Sequence, residues 1–284
     1  MDFFYYKEHL FIVSELLREN LYEFGRYVRE EGLEPYYTLP RLKKIMKQCL
    51  EALAYVHSLN LIHCDVKPEN IVIKSYSRCE VCMYIQFVST YLIPNIRVSQ
   101  VKLIDFGSSC FSTDNLTTYI QSRSYRAPEV IIGHPYDSRI DVWSIGAVLA
   151  ELHTGYVLFQ NDSVPTMLAR ISGILGPMPH EVLARGKETY KYYTSSSVVY
   201  EKAAEQTVSL IVPKRSSLAE RLHLPRDACT EDEALFVDFV RELLLLDPLK
   251  RPTAAQALEH AWLEGVDQLV IPAPVLNTGG PAHK

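Results

Sequence analysis

Apolar residues recur at three- and four-residue steps from Leu39 to Leu59, at Leu42, Ile45, Met46, Cys49, Leu50, Leu53 and Val56. That period predicts a long helix with one face against a core. Residues 3–6 and 9–14 are rich in aromatic and β-branched side chains and predict two short strands, followed through Leu16-Leu17 by an amphipathic segment from Asn20 to Glu30. Residues 140–151 are apolar on every face between Asp141 and Glu151, the pattern of a helix buried all round. Residues 233–246 and 253–262 predict amphipathic helices. The stretch from Leu175 to about Pro225 is polar and irregular, and the tail, 264–284 and Pro-rich from Pro272 with Gly279-Gly280-Pro281, reads as disordered. The sum is an α+β fold, mainly α.

Composition narrows the classes. The chain has 284 residues, 48% of them apolar, and a formal net charge of -5, which suits a globular protein with a large core. The acidic balance and scattered cations argue against a nucleic-acid partner, and Arg41-Leu42-Lys43-Lys44 reads as the solvated face of a helix. Six cysteines, at 49, 64, 79, 82, 110 and 229, include a single Cys79/Cys82 pair with no second pair to complete a zinc site. Met1 to Tyr6 is too short for the core of a leader peptide, and Val142 to Ala150 too short to span a bilayer. Reduced thiols and a cytoplasmic or nuclear location are expected, with no membrane association.

The chemistry lies in two segments. Residues 63 to 70 read His-Cys-Asp-Val-Lys-Pro-Glu-Asn, and Asp105-Phe106-Gly107 follows a run of β-formers. Asp65 can accept a hydroxyl proton, Lys67 can contact a phosphate, and Asn70 with Asp105 can ligate magnesium. Phosphoryl transfer needs positioning and charge neutralisation more than covalent help, and these four side chains offer both.

Further along come Ala127-Pro128-Glu129, then Asp141-Val142-Trp143-Ser144-Ile145-Gly146, then Arg251-Pro252. In this order the motifs resemble those of eukaryotic protein kinases from about residue 3 to about residue 263. The finer resemblance is to the dual-specificity tyrosine-regulated kinases, because Cys64 stands where most kinases have arginine and the activation segment reads Tyr119-Ile120-Gln121-Ser122-Arg123. Ser124 departs from that pattern, where many members have an aromatic residue. The resemblance implies a kinase-like C-lobe (20–263) behind remnant N-lobe strands and a hinge (1–19), with ATP and Mg2+ as cofactors and protein Ser or Thr side chains as substrates. It implies adenine contacts from the backbone of Glu15 and Leu17, with Ser14 at the rear of the pocket and Val72 as its floor, and ATP contacts from Lys67, Glu69, Asn70 and Asp105. It implies His63 packed beneath Phe106, Asp141 accepting from backbone amides near His63 and Cys64, a Glu129–Arg251 ion pair, and autophosphorylation of Tyr119 read by Arg123 and Arg126. Residues 175–225 fall where related kinases carry an insert, either a docking element or surface decoration.

Two departures stand out. No glycine-rich loop, strand lysine or partner glutamate occurs upstream, and the expectation is an incomplete gene model or transcript. Nearly thirty residues separate Lys74 from Lys102 where a short hairpin turn is expected. Segment 82–101 therefore reads as an aberrant insertion, whose removal would join Val81 to Lys102; a genuine lineage-specific loop is the alternative. The rival functional reading is a non-catalytic kinase-like binding module or scaffold.

Overall fold

A helix with no polar face can only sit inside a protein, and α4 (Arg139–Thr154) does so: every residue from Ile140 to Leu152 is buried. In this computed structural model, which describes residues 2–77, 97–114, 117, 119–160, 162–202, 207–224 and 229–269, α4 is the axis of the core. It packs against α2 (Leu39–Ser58), α1 (Leu21–Glu30) and α8 (Glu231–Leu243). Gly155 ends α4 with φ 79° and donates its N–H to Glu151 O at 2.7 Å, the left-handed position at which a helix stops most easily in glycine.

The periodicities of α1 and α2 match the observed helices closely. Asn20 caps α1 by accepting the Glu23 N–H at 2.8 Å, and α2 buries the seven apolar positions of its predicted face. The helix α8 begins at Glu231, earlier than its apolar pattern suggests, because Thr230 and Glu233 form a reciprocal capping box. The helix predicted over 253–262 is replaced by the short α9 (Ala254–Ala257) and a separate 3-10 turn at Ala261–Leu263. The reason is local: the His260 ring accepts the Trp262 N–H at 3.0 Å, starting a new turn that wedges Trp262 against Phe236 and Phe239, with ring centroids at 5.2 and 5.0 Å.

The stretch 175–225 is more structured than its polarity suggests. It contains α6 (His180–Arg185), α7 (Leu218–Arg221) and the antiparallel hairpin of β7 (Tyr200–Lys202) with β8 (Val208–Leu210). It is pinned to α5 (Val164–Leu175) where Ser216 N–H donates to Gly173 O at 2.9 Å. A methyl group at Gly173 would overlap the Lys214 carbonyl oxygen. Gly173→Ala is therefore expected to cost about 1 to 3 kcal/mol, read as a lower thermal midpoint; an unchanged midpoint would refute this close approach.

Strands are few and paired two by two. β1 (Asp2–Tyr6) and β2 (His9–Val13) form a hairpin in register Asp2↔Val13 to Tyr6↔His9, turned by Lys7 and Glu8 at positive φ. Every residue of both strands is exposed. The chain then runs beside β4 (Ile71–Ser77), with Arg18 N–H donating to Ile73 O and Ile73 N–H to Glu19 O. β4 pairs with β5 (Arg97–Leu103), and β3 (Leu61–Ile62) with β6 (Cys110–Phe111). The second strand of the β4–β5 hairpin begins at Arg97, so residues 97–101 of the segment read as an insertion take part in the ladder, with register irregularities around Ser75. Residues 82–96, the Cys79/Cys82 pair and the tail from Pro272 lie outside the described residues. No described helix is long and apolar enough to cross a membrane.

Candidate active site

The loop between β3 and β4 is held from below by one buried carboxylate. Asp141, on the first turn of α4, accepts the His63 N–H at 2.8 Å, the Cys64 N–H at 3.0 Å and His57 Nε2 at 2.9 Å. With three donors around it, the carboxylate is compensated despite complete burial. His63 Nε2 bonds Ile104 O at 3.0 Å, and its ring packs edge-on to Phe106 at 4.8 Å. This joins the loop to the turn that carries Asp105.

On top of this platform Asp65 gathers three partners. Ser122 Oγ donates to Oδ1 at 2.7 Å, while Lys67 Nζ and Asn70 Nδ2 donate to Oδ2 at 2.7 and 3.2 Å. Burial alone would raise the Asp65 pKa, but the Lys67 ammonium and the Ser122 hydroxyl outweigh it and hold the carboxyl below its usual range. It stays ionised at neutral pH, and its stabilising contacts are lost only as pH falls through that lowered value. Asn70 is buried in a 3-10 turn, and its amide nitrogen also donates to Asp65 O at 2.9 Å. Its nitrogen is thus committed to Asp65, leaving the amide oxygen as the atom for a ligand.

Strand register brings Asp105 alongside. Ile71 pairs with Leu103, and Ile104 N–H donates to Asn70 O at 2.9 Å, so Asn70, just before β4, and the residues just after β5 are neighbours. Asp105 has φ 64° and its Oδ1 accepts the Gly107 N–H at 3.2 Å. A neutral amide oxygen with an exposed carboxylate is a hard-oxygen donor set that fits magnesium. A second group of possible ligands, Asp238, Glu242 and His260, fits a metal less well: His260 Nδ1 accepts the Trp262 N–H, so the ring proton sits on Nε2 where a metal would need a lone pair.

The remaining expected contacts are spread around this centre. Val72 is buried and bridges to Asn20. Leu17 is half-buried nearby, and Glu15 reaches the Lys102 ammonium of β5. The Glu69 carboxylate lines a different cavity of about 430 Å³ with Tyr22, Lys67, Tyr125 and Glu151. Burial there raises the Glu151 pKa, against the hydrogen bond from Tyr125 and with the nearby Glu69 charge adding to it.

The segment after β6 carries the signals that sequence reasoning missed. Gln121, at φ 63°, donates its backbone N–H to Cys64 O at 2.9 Å. Its side chain donates to Ile140 O and Ser144 Oγ and accepts the Ala127 N–H. This places Ser122 against Asp65, a role hidden from the sequence because the two are 57 positions apart. Tyr119 is 89% exposed, with the Arg126 guanidinium 6.0 Å from its ring centre. Arg126 already donates to Ile120 O and Gln121 O, and Arg123 lines the same cavity as Asp65 and Tyr119. Glu129 and Arg251, both fully buried, meet in a two-pronged pair at 2.5 and 3.1 Å.

The protein kinase domain pattern matches residues 1–263. Among curated proteins, the chain is 34% identical over 273 residues to human dual specificity tyrosine-phosphorylation-regulated kinase 3, covering 93% of this chain and 42% of that protein. It is 36% identical over 262 residues to human dual specificity tyrosine-phosphorylation-regulated kinase 4, with 92% and 44% covered. It is 35% identical over 264 residues to the DYRK-family kinase pom1 of Schizosaccharomyces pombe, with 93% and 21% covered. The chain thus spans between about a fifth and a half of the length of these relatives.

Proposed function

The chain belongs to the protein kinase domain family, and from that premise we propose that it carries the catalytic face of a serine/threonine kinase of the dual-specificity type, active on protein hydroxyl groups. The observation that carries this reading is the Asp65 constellation: an ionised carboxylate held by Lys67, Ser122 and Asn70, next to the turn bearing Asp105. Asp65 is placed to orient an acceptor hydroxyl and take its proton. Lys67 offers its charge to the migrating phosphoryl group. Asn70 and Asp105 are the residues that would hold magnesium, which when bound neutralises phosphate charge. Glu15 and Leu17 beside Val72 are the proposed backbone contacts for adenine. Tyr119 is the proposed self-modified residue, its phosphate met by Arg123 and by the free edge of Arg126. A cytoplasmic or nuclear setting fits this chemistry.

The test is phosphate transfer from Mg-ATP to a Ser/Thr peptide, measured on this catalytic face with a glycine-rich loop and strand lysine supplied. Ser122→Ala removes one hydrogen bond to a charged acceptor, about 1.5 to 3 kcal/mol. It is expected to lower kcat about 10- to 100-fold while the KM for ATP holds. Turnover that Ser122→Ala leaves unchanged would remove Ser122 from the site.

The binding-module reading draws on a separate observation. Phe3, Phe4, Tyr5, Tyr6, Leu10, Phe11, Ile12 and Val13 are all exposed on the β1–β2 hairpin, an apolar surface of the kind that partners cover. Failure of transfer by every form of the chain, with folding intact, would favour it.

A further inference from the structure

The hairpin of β7 and β8 is covered along one edge and bare along the other. On the β7 side, Tyr200 N–H donates to Tyr192 O at 2.8 Å and Val199 bridges to Tyr193. On the β8 side the ladder itself fixes which groups are free. Ile211 N–H donates to Val199 O at 2.8 Å, and the pairs run Tyr200↔Leu210, Glu201↔Ser209 and Lys202↔Val208. Bonds to the partner fall on every second residue of an antiparallel strand, so Ser209 and Ile211 bond to β7 while Val208 and Leu210 turn their N–H and C=O groups away from it. Among the described residues no backbone group meets them.

The side chains of that edge are apolar and lie in solvent. Val208 is 55% exposed, Leu210 60% and Val212, the next residue of the same alternation, 84%. Ile211 points the other way and is half-buried against the core, and the Ser216–Gly173 bond fixes the chain just beyond it, so the edge is held on a firm base. Folded proteins blunt such edges with a charge, a proline or a bulge. The run Val208–Val212 carries none of these, and proline comes only at Pro213.

Charge identifies the occupant. Lys202 lies directly across from Val208, and Lys214 and Arg215 follow Val212; all are exposed, and among the described residues none is in a salt bridge. Cations therefore flank the apolar stripe at both ends. A second copy joined here antiparallel, Leu210 to Leu210, would bring Lys202 of one chain and Lys214 and Arg215 of the other to the same end of the joined sheet, which like-charge repulsion opposes.

We propose that the free edge of β8 is a docking site for an extended acidic segment of another protein, which adds to the hairpin as a third strand. Its backbone pairs with Val208 and Leu210, its apolar side chains at alternate positions cover the stripe, and carboxylates at its two ends meet Lys202 on one side and Lys214 with Arg215 on the other. A third strand also brings the hairpin to the size at which a small sheet is stable. None of these residues belongs to the Asp65 site, so the inference stands apart from the phosphoryl-transfer reading.

The experiment titrates the folded full chain into a fluorescein-labelled peptide, Asp-Glu-Val-Thr-Val-Thr-Val-Glu-Asp, and reads fluorescence anisotropy. Saturable binding is expected, at least tenfold weaker when lysines replace the acidic residues of the peptide. Hydrogen exchange at the Val208 and Leu210 N–H groups should slow in the complex, which side-chain contact alone would not produce. Val212→Lys, at a position already in solvent, should weaken binding at least tenfold with the thermal midpoint unchanged. Lys214→Glu combined with Arg215→Glu should reverse the preference toward the lysine peptide. Lack of saturation at about 1 mM peptide, equal binding of the acidic and lysine peptides, or unchanged exchange at Val208 and Leu210 at saturation would overturn the proposal. So would a dimer of the chain in light scattering that Val212→Lys dissociates, since a second copy would then hold the edge.

Discussion

Arg251→Met is expected to destabilise the fold by about 3 to 5 kcal/mol, because it leaves the Glu129 carboxylate buried without a counter-charge. Both side chains have no exposed surface. The guanidinium also donates to Leu245 O at 2.8 and 3.0 Å and to Arg139 O at 3.1 Å, and it lies 5.1 Å from the centre of the Trp143 ring. One substitution therefore strips donors from two backbone carbonyls as well as from Glu129. For a chain of this size the thermal midpoint should fall by about 6 to 20 °C. Adding Glu129→Gln to the same chain should recover part of the loss, since the orphaned charge is removed. A single substitution costing less than about 1 kcal/mol in urea denaturation would contradict the pair's structural role.

Asp105→Asn is the second large effect, and it falls on function with the backbone left in place. Asparagine tolerates the left-handed conformation that Asp105 adopts and can still accept the Gly107 N–H through its amide oxygen. What disappears is one negative charge at the proposed metal position. Loss of that charged ligand should weaken metal-dependent nucleotide binding at least tenfold, about 1.4 kcal/mol, with little change in thermal stability.

Much of the fold was legible because its helices are long and regular. The seven apolar positions of α2 and the largely apolar run from Val142 to Ala150 in α4 point to buried helices. The failures have particular causes. At 253–262 a histidine ring captured a backbone N–H and broke the helix in two. In 175–225, polarity concealed short elements whose order comes from capping boxes and from contact with α5, as at Ser217 and Glu220.

The candidate site divides in the same way. Asp65, Lys67 and Asn70 lie within six residues of chain, so their meeting could be inferred from one loop. Asp141, Glu129 and Arg251 needed the family resemblance, because nothing local tells a buried carboxylate from an exposed one. Ser122 and Gln121 were out of reach, since each acts across tens of residues and only the packed chain brings the partners together.

The most direct test is a calorimetric titration of the folded chain with ATP, with and without magnesium, set beside the same titrations of Asp105→Asn. The account predicts binding at least tenfold tighter with magnesium in the unsubstituted chain, and no such dependence once Asp105 is replaced. Binding that is absent or indifferent to magnesium in the unsubstituted chain, or magnesium dependence that survives Asp105→Asn, would contradict it.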